Sequence, residues 1–254
     1  MITGFLYLII SYTTNGQTAS YQQLSGEIQF NRSFRESWST ELDLAGVFSD
    51  TPTETKAFKT FIQKSARCWI HNQTTPRWKL SAFVAYYDNK DVPEIGQYYS
   101  PEWRFALQGT YYFHKIGYTL STRLRPEFRF ITNEQGDYDD QLRYRQQLKF
   151  VKPLNSKVFR KNVIYVIASD ELFFRSNVKN KGINFVDRNR FSVGGGYLVT
   201  DDLQVEIVYM NEYLPRDTEN QVYNSLGLTV TFNNLLSNIH DKINQHKIQD
   251  SDPE

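Results

Sequence analysis

Apolar and polar residues alternate along most of the chain with a period of two, in segments of about ten residues separated by polar, turn-rich stretches. A period of two sends successive side chains to opposite faces of a strand. The clearest segment is Tyr118–Ile131. Leu120, Leu124, Pro126, Phe128 and Phe130 share one face, and Ser121, Arg123, Arg125, Glu127 and Arg129 share the other. Gln141–Val151 sets Leu142, Tyr144, Leu148 and Phe150 against Arg143, Arg145, Gln147 and Lys149. Leu203–Tyr213 sets Leu203, Val205, Ile207 and Tyr209 against Gln204, Glu206 and Glu212. Asn224–Phe232, Trp38–Phe48, Trp78–Tyr86 and Trp103–Gly109 follow the same rule. Tyr21–Asn31, Phe58–His71, Asn162–Arg175 and Arg188–Val199 are weaker, and in Asn162–Arg175 both faces are partly apolar.

The connections differ in length. His114–Ile116 and Thr200–Asp202 are short, whereas Asp88–Ser100, Thr132–Asp140 and Ser176–Asp187 are long. Repeated ten-residue amphipathic strands with short turns on one side and longer loops on the other predict an all-β fold. The expectation is a single transmembrane antiparallel up-and-down β-barrel with its short turns periplasmic. Eleven segments are visible, yet bacterial single-chain barrels have even strand numbers. The expectation is therefore about 12 strands, or about 10 if Tyr21–Asn31 lies outside the barrel. A twelfth strand would sit in the N-terminal apolar segment.

The two ends of the chain lack this pattern. Residues 1–16 hold a short apolar core, Gly4–Ile10, followed by polar Thr13–Gly16, and are expected to be a secretory signal peptide cleaved after Gly16. They lack the usual basic start, since the first cation is Arg32. Residues 17–232 form the expected outer-membrane barrel. Residues 233–254 carry Leu235, Leu236, Ile239 and Ile243 at helical spacing, which predicts a short amphipathic C-terminal helix and a disordered, periplasmic Asp-rich tail.

Composition narrows the classes further. Aromatics make up 15% of the 254 residues, with 17 Tyr and 18 Phe, which suits strands and membrane interfaces. A formal net charge of +1 gives no basic excess for nucleic acid. No run of about 20 apolar residues could form a transmembrane helix. Cys68 is the one cysteine, so disulfides and multi-cysteine metal sites are excluded, and it reads as a small buried hydrophobe. Tyr111, Tyr112, Trp103, Tyr209 and Tyr213 lie where interfacial girdles are expected.

The charged strand faces carry the candidate chemistry. Arg123, Arg125, Glu127, Arg129, Arg143, Arg145, Arg188, Arg190, Glu206 and Glu212 would line the lumen, because Arg facing lipid at the midplane costs about 2–4 kcal/mol. Hairpin folding sets Glu127 opposite Arg145 and Arg190 opposite Glu212, and such cross-strand pairs contribute about 0.2–1 kcal/mol each. They either brace a narrow lumen or form an Arg-rich constriction that favours anionic or polar solutes. Gly194-Gly195-Gly196 lies inside a strand with no helix after it, so it reads as a close approach that gives room to Glu206 rather than a phosphate loop. His71 and His114 fall at turns without an evident Ser and acidic partner, and His240 and His246 fall in the tail. Asp170 and Glu171 point to opposite faces. No catalytic, metal or cofactor site is expected, and the chain is not read as an enzyme.

The order of several pieces resembles a known family. They are Arg123-Leu124-Arg125-Pro126-Glu127-Phe128-Arg129-Phe130, Leu142-Arg143-Tyr144-Arg145, Asp170-Glu171-Leu172-Phe173-Phe174, Arg188-Asn189-Arg190-Phe191, Gly194-Gly195-Gly196-Tyr197 and Val205-Glu206-Ile207-Val208-Tyr209-Met210. Together they resemble a family of Bacteroidota outer-membrane barrels known only as a domain of unknown function, over roughly Trp38 to Phe232. The resemblance implies an integral barrel in the outer membrane and brings no activity. Gly227–Phe232 is similar to the terminal signal read by the barrel-assembly machinery, with a tail added after the aromatic residue. The expected partners are outer-membrane lipid, that machinery during biogenesis, and an envelope protein docked on the tail. The expected role is a narrow pore for small polar or anionic solutes. The alternatives are a non-conducting accessory barrel of an envelope complex, an exported soluble β-sandwich and, less favoured, an outer-membrane lipid-modifying enzyme.

Overall fold

The computed structural model describes residues 18–51, 60–92, 95, 97–175, 186–216 and 219–234. Twelve strands follow in chain order: β1 (Thr18–Arg35), β2 (Trp38–Ser49), β3 (Thr60–Asn72), β4 (Trp78–Val92), β5 (Gln97–Tyr99), β6 (Glu102–His114), β7 (Thr119–Thr132), β8 (Tyr138–Pro153), β9 (Ile164–Arg175), β10 (Val186–Leu198), β11 (Leu203–Leu214) and β12 (Asn220–Asn233). Each of the eleven alternating segments of the sequence is one of these strands. The short β5 pairs back on the end of β4 through Lys90–Tyr99 and Val92–Gln97, so part of the expected Asp88–Ser100 loop is ladder. Among the described residues there is no helix.

The sheet closes. Sequential neighbours pair antiparallel from β1 to β4 and from β6 to β12, β4 pairs with β6, and β1 meets β12. The barrel has eleven strands, neither twelve nor ten. The even-number expectation assumed that the first and last strands run in opposite directions. Here β1 and β12 start at the same end and pair in parallel over fourteen residues, from Thr18–Asn220 to Asn31–Asn233. Parallel ladders are slightly weaker per residue than antiparallel ones. This one is long, and ring stacks of Tyr21 on Tyr223 (5.0 Å) and Phe30 on Phe232 (5.5 Å) reinforce it. The expected signal segment and the C-terminal helix and tail lie outside the described residues.

One end of the barrel carries the connections 36–37, 73–77, 115–118 and 199–202, and also the longer 154–163. The other end carries 50–59, 93–101, 133–137, 176–185 and 215–219. The first will be called the short-turn end and the second the loop end. The expected Thr132–Asp140 loop shrinks to 133–137 because β7 and β8 extend into it.

The two faces of the sheet are inverted relative to a water-soluble protein. Leu124 (53% exposed), Phe128 (48%) and Leu148 (50%) face outward, while Arg125 (7%), Glu127 (0%) and Arg129 (2%) are enclosed. The ambiguous strand β9 alternates with apolar side chains on both faces, Tyr165, Ile167 and Phe173 lying inside with Glu171, and Ile164 and Val166 outside. Large aromatics mark both rims of the outer face. Trp38, Trp78, Phe113 and Tyr118 lie at the short-turn end, and Phe48, Phe61, Trp103 and Tyr138 at the loop end. Tyr112 departs from the girdle expectation, since it pairs in register with buried Ser121 and faces inward. Cys68 is exposed on the outer face, between Leu42 and Val84 in register, and is not buried.

Polar side chains on the outer face are paired with one another. Asn189 donates to Asp170 (2.8 Å), Gln146 to Thr122 (2.5 Å), and Tyr209 and Asn211 both donate to Asn224 (2.7 and 3.0 Å). The glycine run of β10 is a close approach, as its sequence implied. A Cβ on Gly196 would lie 2.2 Å from the Tyr165 ring, and one on Gly194 would lie 2.3 Å from the Ile207 carbonyl oxygen. The room at Gly196 is filled by Tyr165, whose hydroxyl donates to Glu206 at 2.8 Å.

The parallel seam gives a direct test. Ser25 and Gly227 are register partners, and a Cβ on Gly227 would stand 3.0 Å from Ser25 Oγ. In a Cys68→Ser background, Ser25→Cys with Gly227→Cys is expected to form a disulfide under mild oxidation, and Ser25→Cys with Thr231→Cys is not. Shifted migration in non-reducing gels reads the outcome. Equal cross-linking of both pairs would contradict the closure.

Candidate functional site: the charged lumen

Period-two strands place every second residue of β6 to β11 inside the barrel, and there the sequence supplies Arg and Glu. Three rungs set like charges side by side: Arg104 beside Arg129, Arg125 beside Arg145, and Arg143 beside Arg175. Like charges directly opposite destabilise a sheet. Each rung is relieved by a buried carboxylate. Glu102 takes bidentate bonds from both Arg104 and Arg129, at 2.5 and 2.9 Å in each case. Glu127 accepts from Arg143 (2.6 Å) and Arg145 (2.7 Å) and lies 3.4 Å from Arg125. Asp187 binds Arg175 at 2.8 Å.

The network continues around the wall. Glu171 accepts both ends of the Arg145 fork (3.1 and 2.8 Å) and a bond from Arg123. Glu212 joins Arg188 and Arg190, each at 2.5 Å. At the centre stands Phe173, 1% exposed. The guanidiniums of Arg145, Arg190, Arg188 and Arg143 lie 4.5, 4.9, 5.0 and 5.2 Å from its ring centroid. Planar guanidinium forks suit bidentate carboxylate pairing and ring stacking together. Thus eight arginines (104, 123, 125, 129, 143, 145, 188 and 190) share the four glutamates 102, 127, 171 and 212.

The opposite wall is acidic. Asp43, 1% exposed, accepts from Arg67 (3.1 Å) and the Trp69 indole (3.0 Å), and Arg67 also reaches Glu27 at 2.6 Å. Between the walls is a cavity of about 530 Å³, lined by Glu27, Asp43 and Glu206 on one side and by Arg123, Arg125 and Arg190 on the other. At the short-turn end of β9 and β10, Val163, Tyr165, Ile167 and Leu198 pack together as an apolar cluster.

All ten lumen residues expected from the sequence lie inside. Nine belong to the ion-pair network, and Glu206 is held instead by Tyr165 and Gln204. Arg190 is the register partner of Glu212, as expected. Glu127 is in register with Arg143 rather than Arg145, yet its carboxylate bonds both. Sequence reasoning missed Glu102, Arg104, Glu171, Asp187 and Arg67, and it set Asp43 on the polar face of Trp38–Phe48 without counting it in the lumen cluster. Glu102 and Arg104 flank Trp103 in strict alternation and could have been found. Glu171 was recognised as one of two opposed residues, but β9 offered no apolar face to say which of them turned inward.

One arrangement has the outline of a catalytic relay. His71 Nδ1 lies 2.8 Å from Ser81 Oγ, and His71 Nε2 lies 3.7 Å from Glu41. Ser81 is 7% exposed, and β4 is laddered on both sides through this stretch, which leaves no pair of N–H donors for an oxyanion. The relay braces the lumen between β2, β3 and β4. Among the described residues, no group of three or more His, Cys, Asp or Glu is placed to hold a metal ion.

A family model described as "Protein of unknown function (DUF2490)" matches residues 20–223. The match begins in β1 and ends in β12, so it spans the closed barrel. No curated protein matches the chain.

Removing one partner of a buried ion pair leaves the other charge uncompensated, at a cost of about 3–5 kcal/mol. Glu127→Gln is expected to lower the folding stability of the detergent-solubilised barrel by about that amount. Glu206→Gln, which breaks no ion pair, should cost about 1 kcal/mol. Urea unfolding followed by heat-modifiable gel migration measures both, and equal effects would contradict the network's role.

Proposed function

The chain belongs to the DUF2490 family of unknown function, and from that membership and the charged lumen we propose that it is an integral β-barrel of the Gram-negative outer membrane. Its lumen would admit small polar or anionic solutes. The observation that carries this reading is the inversion of the sheet, with large apolar and aromatic side chains exposed around a closed wall and arginines and glutamates enclosed within it. Hydrocarbon cannot satisfy backbone N–H and C=O groups, so a spanning sheet must close. Exposed apolar patches on soluble monomers rarely exceed a few hundred Å², and here the outer face is apolar on strand after strand. Paired Asp170–Asn189 and Asn211–Asn224 fit a lipid-facing surface where no water competes.

Eight strands are filled by side chains and sixteen leave an open channel. Eleven strands with a cavity beside an ion-pair network fit a narrow path, and the arginine surplus favours anions. A non-conducting accessory barrel is the second reading, favoured by the apolar cluster Val163–Tyr165–Ile167–Leu198, which fills the lumen beside β9 and β10 at the short-turn end. In either reading residues 1–16 direct export, Gly227–Phe232 is the strand offered to the barrel-assembly machinery, and the tail is available to an envelope partner. The Bacteroidota, to which the sequence resemblance points, have such an envelope. Neither reading includes catalysis.

Fractionation and planar-bilayer recording test the proposal. The protein should sediment with outer membrane and need detergent for extraction. It should give steady ohmic steps that prefer anions, and replacing Arg123, Arg125 and Arg145 with Ala should reduce that preference. Recovery in the soluble fraction would overturn membrane residence. Stable insertion without conductance would overturn the pore and leave the accessory barrel.

A further inference from the structure

The arginine surplus on one side of the lumen has a counterpart on the other. Across the cavity, Glu27, Glu41, Asp43 and Glu206 stand on β1, β2 and β11 with Arg67 as the cation bonded among them, and Lys79 acts on Glu41 from nearer the short-turn end. Each wall contains ion pairs, but the surplus charge is positive on one wall and negative on the other. In an enclosed space of low dielectric, such separation makes a strong transverse field.

Two buried atoms that face this division have no hydrogen-bond partner. One is Arg123 Nε, a donor on the basic wall, and the other is Asp43 Oδ1 on the acidic wall, whose carboxyl group meets that of Glu41 as well as the Arg67 and Trp69 donors. Both residues line the same cavity, whose volume of about 530 Å³ lies within the range of small-molecule pockets.

We propose that this cavity binds a small zwitterion of free amino acid or dipeptide size, its carboxylate against the Arg123–Arg125 wall and its ammonium against the Glu27–Asp43 wall. The inference deepens the solute-path reading above and rests on the lumen being open to solutes. A simple anion would gain on one wall and be repelled by the other. A simple cation would meet the reverse. A zwitterion gains on both, because the desolvation of each of its two charges is offset by a wall of opposite sign.

The test uses the full-length protein in detergent, titrated calorimetrically with glycine, β-alanine and γ-aminobutyrate. Acetate, inorganic phosphate and ethylammonium serve as singly functional probes. The same preparation is recorded in planar bilayers. At least one zwitterion should bind about tenfold or more tighter than any singly functional probe, the gain of one additional charge-assisted contact. Asp43→Asn and Arg123→Gln, each checked for heat-modifiable folding, should each abolish that advantage, and Arg123→Lys should retain part of it. Acetate or phosphate binding as tightly as the zwitterions would make this an anion site and overturn the proposal, and ethylammonium doing so would make it a cation site. A conducting barrel that binds none of the probes would also overturn it. Absence of conductance would instead count against the pore reading, whatever the titrations show. The wild-type comparison of probes decides the matter even if both variants fail to fold.

Discussion

An eleven-stranded sheet can close on itself only if its first and last strands run the same way, and everything else in this molecule depends on that parallel seam. Without it, β1 and β12 would each present a row of unpaired N–H and C=O groups, a template for association in water and a severe penalty in hydrocarbon. The seam is long, from Thr18–Asn220 to Asn31–Asn233, and is stacked with rings on both faces. Closure also fixes the parity of every strand. Shifting any register by one residue would turn arginines outward and leucines inward.

Given closure, the interior must accommodate more guanidinium than carboxylate. Like-charged rungs such as Arg104–Arg129 and Arg125–Arg145 would repel one another if left alone. Glu102 and Glu127 hold them by bridging, and the Phe173 ring is surrounded by four guanidiniums. The result is a rigid basic wall on β6 to β10 and an acidic one on β1, β2 and β11. The cavity between them is a consequence of where the sequence puts its charges.

Much of this was legible in the sequence, because a period of two is a local property. All eleven barrel strands were visible, and their inward charges could be named residue by residue along β7 and β8. Strand number was not legible. The count of eleven was correct, but the direction in which β1 meets β12 is a relation between residues some two hundred positions apart, and no local pattern encodes it. The face of β9 was hidden because Tyr165, Ile167 and Phe173 are apolar residues that turn inward, as Trp69, Phe83 and Tyr87 do on β3 and β4. Cys68 was misread because burial was assigned by residue type rather than by strand parity, which puts Cys68 outside and its neighbour Trp69 inside. The His71–Ser81–Glu41 contact spans three strands and has no fixed sequence offset. Asp43 was legible on the polar face of Trp38–Phe48, but its partner Arg67 lies in a weaker segment, so the second wall of the lumen emerged only with the fold.

In the proposed outer-membrane barrel, alternate residues of one strand face lipid and a charged interior. Nitroxide labels placed singly along β7, from Leu120 to Phe130, in the protein reconstituted into bilayers would test it most directly. Collision with oxygen, which concentrates in hydrocarbon, should peak at Leu120, Thr122, Leu124, Pro126, Phe128 and Phe130. It should fall at Ser121, Arg123, Arg125, Glu127 and Arg129, giving a period of two. Oxygen accessibility without that period, or full exposure of both sets to a water-soluble relaxant, would contradict the account.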